Sequence, residues 1–125
     1  MDYRKLGTSD VRVSSLCLGT QTWGEQNSEI EAHDQLDMAI DHGINFIDTA
    51  EMYPFPAKEE TSGKTESIIG NWLKKKKCRE KIILATKVTG RNNLPWLGNN
   101  GNRLTRSRIE SAIYGSLKRL KTDYI

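Results

Sequence analysis

Three short apolar runs alternate with three longer stretches whose apolar residues recur every three or four positions. No other feature of these 125 residues constrains the fold as tightly. The runs are Leu16-Cys17-Leu18-Gly19-Thr20, Asn45-Phe46-Ile47-Asp48-Thr49 and Ile82-Ile83-Leu84-Ala85-Thr86-Lys87-Val88. Each has the length of a buried strand. The intervening stripes are Ala32, Leu36, Ala39 and Ile40, then Ile68, Ile69, Trp72 and Leu73, then Ile109, Ala112, Ile113, Leu117 and Leu120. That spacing is helical. Strands alternating with helices predict an α/β fold, a parallel sheet with crossover helices. Two topologies compete, an open doubly wound sheet and a (β/α) barrel. An open dinucleotide-binding sheet favours G-x-G-x-x-G after its first strand. Here only Gly19 and Gly24 lie in that connection, five apart. The long connections all follow strand ends, which suits a barrel with its site on one face.

Local signals refine the outline. Residues 3–6 and 11–15 flank Gly7-Thr8-Ser9-Asp10, so a short β-hairpin over 1–15 precedes the first strand. Ser28-Glu29-Ile30-Glu31 has the spacing of a capping box, and His42-Gly43 ends that helix. Residues 51–63 form a long connection containing Pro54 and Pro56, and 91–103 form another with Pro95-Trp96-Leu97 at its centre. Long connections in compact domains tend to be functional. Thr105 caps the third helix, and 122–125 read as the start of a fourth strand.

Several function classes are disfavoured. The hydrophobic share is 36% and the charged share 28%, as in a soluble protein. No apolar run approaches the roughly eighteen residues that span a bilayer. The segment Met1-Asp2-Tyr3-Arg4-Lys5-Leu6-Gly7 lacks the apolar core of a signal peptide. A cytoplasmic location is expected. Cys17 and Cys78 read as free thiols. His33 and His42 are nine apart on one helix and face opposite sides; no cluster has metal-ligand spacing, so no metal is expected. The net charge is +3, and Lys74-Lys75-Lys76-Lys77 is the obvious basic feature. It falls at a helix C-terminus, where cations complement exposed carbonyls. It lacks the interleaved aromatics of a nucleic-acid surface. No nucleic-acid or membrane partner is expected.

The candidate site follows from what ends the runs. Asp48 closes the second apolar run, Tyr53 lies five residues on, and Lys87 closes the third. A parallel barrel carries catalytic groups at the C-terminal ends of its strands and in the loops after them. An acid, a phenol and an amine delivered this way can form one site. Separate salt-bridged residues at strand ends give the same spacing, and spacing alone does not choose.

The segment Gly43 to Ala50, with Glu66-Ser67-Ile68-Ile69-Gly70, resembles the most characteristic stretch of the aldo-keto reductase family. Tyr3-Arg4-Lys5-Leu6-Gly7, Leu18-Gly19-Thr20 and Ser116-Leu117-Lys118-Arg119-Leu120-Lys121-Thr122-Asp123-Tyr124-Ile125 are similar as well. Trp23-Gly24 and the Asn/Gly-rich stretch after Val88 resemble a bacterial Tas-like branch related to potassium-channel β-subunits. The resemblance implies the N-terminal portion of a (β/α)8 TIM barrel that reduces aldehydes and ketones with NADPH. It implies catalytic roles for Asp48, Tyr53 and Lys87. A fourth residue, a histidine, is expected shortly after Ile125; neither His33 nor His42 matches it. Gly19, Thr20, Gln21 and Trp23 match the cofactor-side loop, and Asp48 is expected to face the nicotinamide ribose. Glu66 and Gly70 are expected to be structural, while Trp96 either walls a substrate pocket or covers the barrel rim.

The chemistry behind those roles is general. Hydride reaching a carbonyl carbon leaves charge on oxygen, which needs a proton. A phenol is a weak acid, with an unperturbed pKa of about 10, and a neighbouring ammonium favours its anion. An aspartate pairs with that ammonium and holds it. A barrel of this kind takes roughly 250 residues. The chain is therefore expected to be one incomplete barrel over 1–125, inactive alone, its partners a small carbonyl substrate and either the rest of the barrel or further copies. The alternative is a regulatory protein on the same barrel that senses cofactor redox state, as channel β-subunits do.

Overall fold

The computed structural model describes residues 1–90, 93–97 and 103–125. An antiparallel hairpin comes first, β1 (Tyr3–Lys5) against β2 (Arg12–Ser14), with Tyr3 opposite Ser14. Gly7 turns it at φ +60°. Four hydrogen bonds fasten the hairpin to the segment around Gly43 and Asn45, two of them 2.7 Å long. The Tyr3 hydroxyl donates to the Gly43 carbonyl at 2.7 Å, and the Asn45 side chain accepts from the Ser14 amide at 2.7 Å.

Beyond the hairpin lies a three-stranded parallel sheet, in the order β3 (Cys17–Gly19), β4 (Phe46–Asp48), β5 (Ile83–Ala85). Leu18 aligns with Ile47, and Ile47 with Leu84. Crossover helices α1 (Glu29–Asp41) and α2 (Lys64–Lys76) join these strands, and α3 (Arg106–Leu120) comes after β5. The capping box forms as the spacing predicts: Ser28 accepts from the Glu31 amide while the Glu31 carboxylate accepts from the Ser28 amide at 2.8 Å. α2 ends in its lysines, and the left-handed Lys77 donates its amide to the Leu73 carbonyl.

Strand side chains alternate between two faces. Ile47, Ile82 and Leu84 turn towards the helices and join Leu36, Ile69, Trp72, Leu120 and Trp23 in one core. Phe46, Asp48, Ile83, Ala85 and Lys87 have the opposite parity and stay partly open. The helix-packed face thus carries the stability and leaves the other face to the strand ends.

α2 and α3 approach closely at Gly70. A Cβ there would stand 2.2 Å from the Arg119 carbonyl oxygen. Glu66 is fully buried beside this crossing. It accepts from Arg119 Nε at 2.7 Å and from the Thr86 hydroxyl at 2.6 Å, joining both helices to the end of β5.

Three expectations change. The α3 stripe is Ala112, Ser116 and Leu120, with Ile113 and Leu117 half-buried and Ile109 exposed. The helices meet towards the C-terminal end of α3, so its first turns lie away from α2. The strand expected over 82–88 is regular only over Ile83–Ala85. Residues 122–125 form no strand; the Tyr124 carbonyl accepts from Arg79 at 2.8 Å instead of from a neighbouring ladder. The cysteines also invert their sequence context: Cys17, in an apolar run, is exposed, and Cys78, among lysines, is buried.

Candidate active site

Register decides which side chains meet at the C-terminal edge of the sheet. Gly19 lies opposite Asp48, and Asp48 opposite Ala85. Lys87 stands two residues beyond Ala85 and so returns to the same face. Its ammonium donates to Asp48 Oδ2 at 2.6 Å and to the Thr49 carbonyl at 2.8 Å. Tyr53 comes after a turn in which its amide donates to the Ala50 carbonyl at 3.2 Å. The Lys87 ammonium lies 4.9 Å from the centroid of the Tyr53 ring. Acid, amine and phenol therefore gather at one place.

The residues expected on the cofactor side divide. Gly19 is exposed, and a Cβ built there meets nothing within 4 Å. Gln21 is exposed too, and its carbonyl accepts from the Phe55 amide at 2.8 Å. Thr20 is buried; its hydroxyl donates to the Asp48 carbonyl at 2.9 Å and steadies that strand end. The Trp23 indole is 1% exposed, sits in the core and donates to Gln35 at 3.0 Å. Its large apolar ring gains more from that core than from the rim, and its side chain does not face the site. His33 and His42 belong to α1 and its end, where their rings meet the Ile68 and Met38 carbonyls.

Two neighbours escaped the sequence reading. Cys17 shares the parity of Gly19. Its thiol is pushed up by burial first and by the Asp48 carboxylate second, with Lys87 partly opposing. Counting by twos along β3 would have found it. Glu51 is 4% exposed, accepts from the Thr89 amide at 2.6 Å and is ion-paired with Arg108. A second carboxylate, between Asp48 and Tyr53, was the available signal.

Trp96 is half-buried in a single 3-10 turn, its indole nitrogen enclosed without a partner among the described residues. The rest of the connection expected over 91–103, at 91–92 and 98–102, lies outside the described residues. Among the described residues no grouping of three or more His, Cys, Asp or Glu could hold a metal ion. No described helix is long and apolar enough to cross a membrane.

The family model described as "Aldo/keto reductase family" matches residues 15–125. The chain belongs to the aldo/keto reductase family. It is 52% identical to protein tas of Escherichia coli (strain K12), covering 100% of this chain and 36% of that protein. It is 44% identical to the "Uncharacterized oxidoreductase YrpG" of Bacillus subtilis (strain 168), over 100% of this chain and 38% of that protein. Among solved structures, the holo form of aldo-keto reductase AKR11C1 from Bacillus halodurans superposes with a TM-score of 0.77 at 38% identity, over 100% of this chain and 38% of that one. The chain thus spans a little over a third of the length of these relatives. Its fold is the hairpin and opening portion of an aldo-keto reductase (β/α)8 barrel. Membership in this family makes it part of an oxidoreductase lineage.

Proposed function

We propose that these residues carry part of the active site of an NADP(H)-dependent reductase that converts aldehydes and ketones to alcohols, with Tyr53 as general acid. One observation carries the reading: the Lys87 ammonium sits 2.6 Å from Asp48 and 4.9 Å from the centre of the Tyr53 ring. A cation fixed beside the ring would stabilise the negative charge that Tyr53 acquires as its proton leaves. Asp48 supplies the counter-charge, and the Thr49 carbonyl takes a second ammonium proton, so Lys87 is held in place. The expected histidine does not enter this reading.

The strand ends also fit a nicotinamide. Open space at Gly19 and the exposed Gln21 flank Asp48, so a flat ring can lie against this edge. When bound, that group supplies the hydride. In this reading Gly19 would border the nicotinamide, Asp48 would accept from a ribose hydroxyl, and Tyr53 would give its proton to the carbonyl oxygen as charge develops there. Thr20 and Trp23 support the edge from behind.

The activity is proposed for the complete barrel, and the test uses the intact protein. Tyr53→Phe keeps the ring and removes the transferable proton. Reduction of an aldehyde panel should fall by about 10²–10⁴, with NADPH binding retained. An unchanged rate removes Tyr53 from the mechanism.

A further inference from the structure

We propose that Glu51 is a positioning residue of this site, clasping both ends of the connection between β5 and α3 and so fixing Lys87 against Tyr53. The inference rests on the catalytic reading of Tyr53 and Lys87. It starts from backbone geometry. Beyond the regular sheet, the β4–β5 ladder continues by single bonds, from the Thr49 amide to the Ala85 carbonyl at 2.9 Å and from the Glu51 amide to the Lys87 carbonyl at 3.2 Å. At the next step no backbone carbonyl of this segment takes the Thr89 amide. Glu51 Oε1 does so, at 2.6 Å. The side chain thus extends the ladder one step past the point where the backbone turns away towards Tyr53. Lys87 and Thr89 are each bonded to this one residue.

The same oxygen takes the Arg108 guanidinium, which arrives from the first turn of α3. The connection leaving β5 at Thr89 and the helix that ends it are therefore gathered on one buried carboxylate. That carboxylate lies two residues from Tyr53 and three from Asp48. A displacement of about 1 Å in a reacting group can lower rate about 10²-fold. A residue whose amide holds the Lys87 carbonyl, and whose carboxylate holds Thr89 and Arg108, is placed to prevent one.

The test is made in the intact protein with Glu51→Met and Arg108→Met combined. Two unbranched apolar side chains remove both charges together and leave neither unpaired. The double variant should fold with a thermal midpoint and an NADPH dissociation constant close to wild type. Its kcat for carbonyl reduction should fall about 10–10²-fold. KM for the carbonyl should change far less than kcat, because the clasp acts on the alignment of the reacting groups and not on uniform binding. A folded double variant with wild-type kcat overturns the proposal. If the double variant does not fold, Glu51→Gln is read instead, since it keeps an acceptor for Thr89 and a weakened bond to Arg108. A several-fold lower kcat at near-wild-type KM supports the clasp; a wild-type kcat overturns it. Tyr53→Phe in the same assay separates the two claims. If it too leaves reduction intact, the catalytic reading itself has failed. If it silences the enzyme while the Glu51 variants do not, only the clasp has.

Discussion

Gly70→Ala tests how the helical layer holds the strand ends in place. The new Cβ would stand 2.2 Å from the Arg119 carbonyl oxygen and 2.9 Å from the Leu120 carbonyl carbon. Ordinary contact begins near 3.4 Å, so α2 and α3 must separate by 3.4 − 2.2 = 1.2 Å at this crossing. Both obstructing atoms are backbone, and no side-chain rotation relieves them. Overpacking of this kind costs about 1–3 kcal/mol, and the absence of a soft neighbour puts Gly70 at the upper end. Alanine recovers about 1 kcal/mol of helix propensity. The net loss is about 2 kcal/mol, which lowers the thermal midpoint by roughly 4–8 °C for domains of 150–250 residues. Thermal and urea unfolding of the intact protein measure it. Gly115→Ala in α3 is the internal control, since its Cβ meets only the end of the Arg119 side chain, at 3.1 Å, and no backbone atom. That variant should match or exceed wild type. A Gly70→Ala midpoint at or above wild type would refute the argument from close approach.

Two further outcomes follow from charge. The Lys76 ammonium, bonded to Asp37 at 2.7 Å, holds the Asp37 carboxyl below its usual range, with the Trp72 indole adding to the effect. A lowered carboxyl contributes stability above its unfolded value of about 4 and loses it as pH falls through the folded value. Asp37→Asn should therefore be less stable than wild type at pH 7, and the gap in thermal midpoint should close on acidification; a gap constant with pH contradicts the pairing. Cys17 is exposed, yet burial of its sulfur and the Asp48 carboxylate push the thiol up. Its alkylation at mildly alkaline pH should be slower than that of a small free thiol and faster in Asp48→Asn. A wild-type rate equal to the small thiol's would contradict this electrostatic account.

What could be read from the sequence depended on how local each signal was. The capping box at Ser28, the stop at Gly43, the hairpin turn at Gly7 and the stripe of α2 are each written within a few residues, and all are present. The meeting of Asp48, Tyr53 and Lys87 was legible because strand ends in a parallel sheet share one edge. The face taken by Trp23 was not legible, because a tryptophan in a connection suits core and rim equally. It is settled by Gln35, twelve residues away on α1. Ile109 was misread because periodicity gives a face but not how far along it a neighbour reaches. Glu51 was missed because its partners, Thr89 and Arg108, are separated from it by 38 and 57 positions.

The register explains why chemistry and stability do not compete within the sheet. Leu18, Ile47 and Leu84 lie side by side and turn towards the helices, while Gly19, Asp48 and Ala85 form the next row and turn away. A shift of one residue in either pairing would exchange the rows. It would drive Asp48 into the layer of Leu36, Ile69 and Trp72 without Lys87, and turn Ile47 to the open side. An unpaired buried carboxylate is far more costly than a half-exposed isoleucine. The apolar run that makes β4 a strand thus also enforces which edge Asp48 occupies. Thr20 reinforces the same choice by donating to the Asp48 carbonyl, and Glu66 repeats the logic at β5 by holding Thr86 on the helical side. With Thr86 fixed there, alternation leaves Lys87 only the face on which Asp48 waits.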